Sequence, residues 1–172
     1  EIMPRSATWV SRIDSYLIDN ETHIMNKDYQ QTQALVAIQN GSLLGVGPGK
    51  STQRNILPYS ESDFIFAIII EEYGLVGGAT ILLLYLILLF RAIRISLNTD
   101  SIFGSLVVIS LMFSLVFQAL VNMLVSIGIM PVTGQTLPLL SMGGTSLVFT
   151  FISLGIVLSV SRKSFKGEYE EA

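Results

Sequence analysis

Three apolar runs dominate the sequence: Phe64 to Phe90, Ile102 to Ile127, and Thr145 to Val160. A membrane-spanning helix needs about 20 mostly apolar residues, within a range of roughly 17–25. The third run is short and reaches spanning length by taking in Gly143 and Gly144. None alternates polar and apolar residues as a half-buried strand does, and each exceeds ordinary strand length, so all three are read as helices. Composition agrees: charged residues make up 13% of the chain, about half of the roughly 25% found in soluble domains. The expected fold class is all-α, a polytopic helical membrane protein with a large extracytoplasmic loop and three transmembrane helices. The chain begins at Glu1 without Met, and its first residues carry no signal-peptide pattern. It is therefore read as the C-terminal part of a longer protein.

The same scarcity excludes whole function classes. With no cysteine and a single histidine, His23, thiolate metal sites, thiol nucleophiles and multi-His metal centres are ruled out. A net charge of −3 with no basic block argues against nucleic-acid binding. His23 is read as an ordinary loop residue.

Positive charge on short loops orients the spans. Arg91 and Arg94 follow the first run, Arg162, Lys163 and Lys166 follow the third, and residues 128–144 hold no Lys or Arg. The expected order is an extracytoplasmic loop over 1–63, a span over 64–90, and a cytoplasmic loop over 91–101. A second span over 102–127, a re-entrant-like outer loop over 128–144, a third span over 145–161 and a cytoplasmic tail over 162–172 complete it. Within the first segment, residues 1–28 read as irregular or surface-lying. Tyr29 to Asn40 has helical composition and ends at Gly41, a candidate C-cap. The Gly-, Ser- and Pro-rich stretch that follows reads as a structured loop.

Two apparent motifs in that stretch are coincidental. A phosphate-binding P-loop needs Gly six residues before its Lys, and Leu44 stands six before Lys50. Lys50 also occupies the third-glycine position of a dinucleotide fingerprint opening at Gly45 and Gly47.

Polar residues at the span borders carry whatever chemistry the chain has. Asp63 stands where the outer loop meets the first apolar run. It reads either as a helix N-cap or first-turn acid, or as a carboxylate held at the membrane surface for proton transfer; the two are compatible. Glu71 and Glu72 lie inside the run, where ionisable residues are costly and usually functional. On a continuous helix Glu71 would lie about 12 Å beyond Asp63 and be turned by roughly 80°. A carboxylate pair would need a break, for instance near Gly74. Pairing of Glu71 or Glu72 with a basic group from helices of the parent protein outside this chain is the favoured expectation, with a purely structural role as the alternative. Gln118 and Asn122, one turn apart, read as hydrogen-bonding groups toward neighbouring helices. Gly143-Gly144, just before the third span, offer backbone N–H groups to an anion. A glycine- and proline-containing loop at membrane depth is tolerated only beside protein or a watery cavity, which suggests a polar cleft opening outward.

Three stretches, YQQTQALVAIQNGSLLGVGPGKSTQRNILP, SDFIFAIIIEEYGLVGG and NMLVSIGIMPVTGQTLPLLSMGGTS, resemble in order and spacing the SEDS family (shape, elongation, division and sporulation). The wording of GQTLPLLSMGG and DFIFAIIIEE inclines toward the division-type FtsW branch over the elongation-type RodA branch. The resemblance implies a parent protein of about ten membrane helices that polymerises lipid II, an undecaprenyl-pyrophosphate-linked disaccharide peptide, into glycan strands. It also matches Asp63 to the family's essential aspartate. The sequence departs from the family pattern in reading Tyr59-Ser60-Glu61-Ser62 before Asp63, and Met142 before the Gly-Gly pair.

From that resemblance follows an inverting hexosyl transfer, with Asp63 accepting the acceptor hydroxyl's proton. Lys50, Arg54, Ser62, Gly143 and Gly144 are the candidate substrate-binding positions, and Glu71, Glu72 and Asn122 are polar structural positions in the membrane. No cofactor is required by the reading; a divalent cation, Mg or Mn, is a candidate, and its ligands are unknown. Implied partners are lipid II, a cognate class B penicillin-binding protein and other divisome membrane proteins. The implied place is the bacterial cytoplasmic membrane, at the division septum. A lipid II flippase, an elongation-type polymerase and a non-catalytic scaffold are the alternatives.

Overall fold

The computed structural model describes residues 28–53 and 63–170. The expectations for residues 1–27, His23 among them, and for Arg54 and Ser62 lie outside these. Four helices follow in chain order: α1 Asp28–Gly41, α2 Ile65–Leu97, α3 Ile102–Ser126 and α4 Gly144–Glu170. No strand occurs among the described residues. α2, α3 and α4 are each long and apolar enough to cross a membrane. The chain is thus an all-α, multi-pass membrane protein.

α2 packs most extensively on α3 and on α1, and α4 leans on α3. Lipid tails are as apolar as leucine, so helices associate in a membrane by close packing of small residues more than by expelling water. The contact faces follow that rule: Ala34 and Ala37 of α1 meet Ala67 of α2 and Val125 of α3, together with Phe64. Phe66, Ile70 and Tyr85 of α2 meet Val116, Ala119 and Met123 of α3 in the central cluster, and Leu137 from the loop beyond joins them. The opposite faces expose Leu83, Leu84, Phe113, Phe149 and Phe151, as a lipid-embedded or helix-covered surface requires.

α2 runs past the expected boundary at Phe90 to Leu97. Arg91 and Arg94 therefore lie on its last turns rather than in a loop, with the Arg94 guanidinium 4.9 Å from the centroid of the Phe90 ring. The connection shortens to residues 98–101, where Ser101 caps α3 by accepting from Gly104 N at 3.3 Å. Likewise α4 continues beyond the expected third span to Glu170.

The most consequential feature lies near the start of α2. Gly74 has φ 71° and ψ −172°, a non-helical backbone that splits the helix in two and that is essentially confined to glycine. In an uninterrupted helix the Glu71 and Glu72 carbonyls would accept from the Leu75 and Val76 amides. Here the 42–47 segment takes both sides of those two bonds. Val46 N donates to Glu71 O at 2.9 Å and Gly47 N to Glu72 O at 3.0 Å, while Leu75 N and Val76 N donate to Ser42 O and Leu43 O at 3.1 and 3.5 Å. Such intimacy needs bare backbone on both sides. A Cβ on Gly74 would lie 2.6 Å from Gly45 N, and one on Gly45 would lie 2.6 Å from Gly74 N.

Candidate functional site

Asp63 immediately precedes the helix, yet it does not cap it. The N-cap position belongs to Phe64, with no side-chain cap bond; the Phe64 ring is buried among Ala34, Ala37, Ala67 and Val125, which fixes where the helix can begin. The capping reading of Asp63 is therefore not what the structure shows, and its half-buried carboxylate is left for other work. It faces Gly134: a Cβ built there would lie 3.9 Å from Asp63 Oδ2.

Asn122 joins these two segments. Its Nδ2 donates to the Asp63 carbonyl at 2.9 Å and to the Gln135 carbonyl at 2.7 Å. One turn earlier, Gln118 Nε2 donates to the Thr136 carbonyl at 3.1 Å. Both amides thus spend their donors on loop carbonyls rather than on a neighbouring helix. The 134–136 stretch also lines a cavity of about 440 Å³, whose polar wall includes Ser114, Gln118, Ser146, Thr150 and Ser153.

Beyond this stretch the chain goes inward. Leu137 and Pro138 are fully buried. The Tyr85 hydroxyl, eleven residues past Gly74, donates to the Pro138 carbonyl. Ser141 closes the return, its Oγ accepting from Leu137 N at 2.7 Å and its amide donating to Leu137 O at 2.9 Å. The segment thus turns into the helix packing and is pinned there from α2 and α3.

The sequence profile of the FtsW/RodA/SpoVE family, described as a cell cycle protein, matches residues 4–166. The chain belongs to the FtsW/RodA/SpoVE family. This is the SEDS resemblance carried by the three stretches. Stage V sporulation protein E of Bacillus subtilis is 43% identical over 156 residues, covering 90% of this chain and 42% of that protein. A probable peptidoglycan glycosyltransferase FtsW of Hydrogenovibrio crunogenus is 39% identical over 167 residues, covering 95% and 43%. Among solved structures, a peptidoglycan synthase complex coordinating polymerization and crosslinking superposes with TM-score 0.68 at 30% identity, covering 94% of this chain and 46% of that one. An aspartate-to-alanine mutant of the rod shape determining protein RodA of Thermus thermophilus gives 0.57 at 41% identity, covering 60% and 35%. The chain spans a little over two fifths of the length of these two curated relatives.

In this FtsW/RodA/SpoVE chain the other predicted positions fall as follows. Glu71, 1% exposed, accepts from Ser51 Oγ and from Thr52 N and Oγ1 at 3.2 and 3.0 Å. Hydroxyls and an amide of the segment just before residue 54 thus hold this carboxylate. The break at Gly74 lies after Glu71, so it does not bring that carboxylate round to Asp63. Glu72 is half-buried, and its carbonyl anchors Gly47. Lys50 is exposed next to the Glu71 clamp. Gly143 N donates to Ser141 O at 2.9 Å, so that amide is spent within the loop, while a Cβ on Gly144 would meet nothing within 4 Å.

Residues that sequence reasoning passed over are Tyr85, Ser51, Thr52 and Ser141. Tyr85 had a signal: a lone phenol in an otherwise aliphatic stretch of a span needs a partner.

Proposed function

We propose that the full-length protein containing this chain is a peptidoglycan glycosyltransferase that polymerises lipid II, with Asp63 as the catalytic carboxylate. The observation that carries this reading is the Asp63 carboxylate, unused by the helix it precedes and facing Gly134 of the re-entrant segment. The acceptor's sugar hydroxyl attacks the donor's anomeric carbon, undecaprenyl pyrophosphate leaves, and Asp63 takes the hydroxyl proton. An inverting displacement of this kind needs no enzyme nucleophile, in keeping with a chain that has no cysteine.

Among the described residues no three acidic or histidine side chains gather to cage a metal ion. Mg²⁺ is commonly held by one or two carboxylates together with substrate phosphates, and Asp63 fits that role. A bound cation would add charge neutralisation at the pyrophosphate. Lys50, exposed on the loop that precedes α2, is the proposed source of positive charge, and Arg54 and Ser62 are its proposed companions. Gly144, opening α4, is the proposed backbone contact for the anion, with Gly143 supporting the turn.

The charge pattern supports Asp63 on the outer face, with Arg91 and the α4 tail in the cytoplasm. The FtsW names among the relatives support the division-type branch, and the solved synthase complex that coordinates polymerization with crosslinking supports a crosslinking partner; a cognate class B penicillin-binding protein and a septal location complete the proposal. Tagged parent protein at midcell would agree with that branch, and uniform sidewall labelling would favour the elongation type.

The test is purified full-length protein carrying Asp63→Ala, assayed for lipid II polymerisation. A general base contributes about 10²–10⁴-fold, and a loss in that range is expected. Glycan-strand synthesis at the unsubstituted rate would remove Asp63 from the mechanism.

A further inference from the structure

We propose that Asn122 is a positioning residue, which sets the Asp63 carboxylate against the re-entrant loop. The proposal rests on the reading of Asp63 as the catalytic base. Asn122 is 1% exposed, and both of its side-chain hydrogen bonds leave from one nitrogen, to Asp63 O and Gln135 O. Two carbonyl acceptors fix the amide's orientation, since only the NH₂ end can serve them. The other end then has nothing: Asn122 Oδ1 is buried without a hydrogen-bond partner.

That asymmetry is informative. A buried acceptor left unpaired costs stability, so an amide used only as structural glue would be a poor choice here. What it does achieve is a bridge from one amide nitrogen to two non-helical pieces of backbone. One piece carries the Asp63 carboxylate; the other carries Gly134, which that carboxylate faces. Gln118 holds the same loop one residue further on, at Thr136 O, but makes no bond to Asp63. Nature has thus provided an internal control: two amides one turn apart, both tying the loop, only one tying the base.

A displacement of about 1 Å at a reacting group can cost on the order of 10²-fold in rate. In full-length protein, Asn122→Leu keeps the side-chain size and removes both donors. The expected result is a fall in kcat for lipid II polymerisation of about 10–100-fold, with KM for lipid II within about twofold of the original. Gln118→Leu should lose only a few-fold. In an Asp63→Glu background, where the carboxylate is already misplaced, adding Asn122→Leu should cost less than it does alone, because residues acting as a unit are not additive.

Equal losses from the Asn122 and Gln118 substitutions, a change confined to KM, or losses that multiply in the double variant would each overturn the proposal. Should Asn122→Leu fail to fold, Asn122→Gln, which carries the amide one methylene too far, takes its place under the same criteria. If Asp63→Asn polymerises lipid II normally, the base assignment fails, whatever Asn122 does. If Asp63→Asn is dead and Asn122→Leu runs at the original rate, only the positioning proposal fails.

Discussion

Replacing Gly74 by alanine should disturb this chain far more than a glycine-to-alanine change in a membrane helix ordinarily does. At φ 71° and ψ −172°, a residue with a Cβ carries about 1–3 kcal/mol of strain. Its Cβ would also press into the Leu43 carbonyl and lie 2.6 Å from Gly45 N, where backbone has little freedom to yield. The molecule can escape by expelling the 42–47 segment and closing α2 into one straight helix. That recovers two helical hydrogen bonds and about 1 kcal/mol of alanine's helix preference. It forfeits the four bonds across the break, each worth about 1 kcal/mol net, and strains the Glu71 clamp with Ser51 and Thr52. Bonds to a charged group are worth about 1.5–3 kcal/mol each. By either route the loss comes to roughly 3–5 kcal/mol.

Hydrogen exchange on the full-length protein reads this directly: the Val46 and Gly47 amides, protected by Glu71 and Glu72 carbonyls, should exchange much faster in Gly74→Ala, and thermal unfolding should come earlier. Gly155→Ala is the control, since Gly155 lies inside α4 and a Cβ there meets nothing within 4 Å. It should be neutral or stabilising by up to about 1 kcal/mol. If Gly74→Ala behaves like Gly155→Ala in both measurements, the inserted-loop account of the kink is wrong.

Two further substitutions test the pins around the site. Tyr85→Phe removes the donor to the Pro138 carbonyl and should cost about 1–2 kcal/mol; faster exchange at Leu137 and Ser141, with α1 unaffected, is the expected signature. Glu71→Gln keeps the shape of the clamp but makes its bonds neutral, and charge-assisted bonds are roughly twice as strong as neutral ones. A loss of about 1–2 kcal/mol in thermal stability is expected, with Thr52 the most affected amide; no change at Thr52 would mean that its contact carries no weight.

The helices were legible because their cause is local: an apolar run of spanning length needs no partner to be recognised. The end of α1 at Gly41 was legible for the same reason. The break in α2 was not. The stretch EEYGLVGG holds Gly74, Gly77 and Gly78, and an isolated glycine in a helical pattern is usually just tolerated. Only Gly74 breaks, because its partner is a glycine-bearing segment some thirty residues upstream in the chain. Glu71 illustrates the same limit: its burial could be read from the run around it, but its partners are the small hydroxyl residues Ser51 and Thr52, which advertise nothing in sequence. Asn122 was recognised as a polar residue that must bond something; which carbonyls it bonds depends on two loops meeting.

The inserted 42–47 segment also bears on how the protein is made. The ribosome completes the wedge before it starts the helix that the wedge splits. A nascent α2 emerging alone would close its own ladder across Gly74 for about 1 kcal/mol of glycine penalty, and the loop would then have to break two finished bonds to enter. Because α1 and its loop come first, the alternative donors and acceptors are already present when Glu71, Glu72, Leu75 and Val76 arrive. The order of translation favours the kinked form from the outset, and a circular rearrangement of the gene that placed this loop after α2 would remove that advantage.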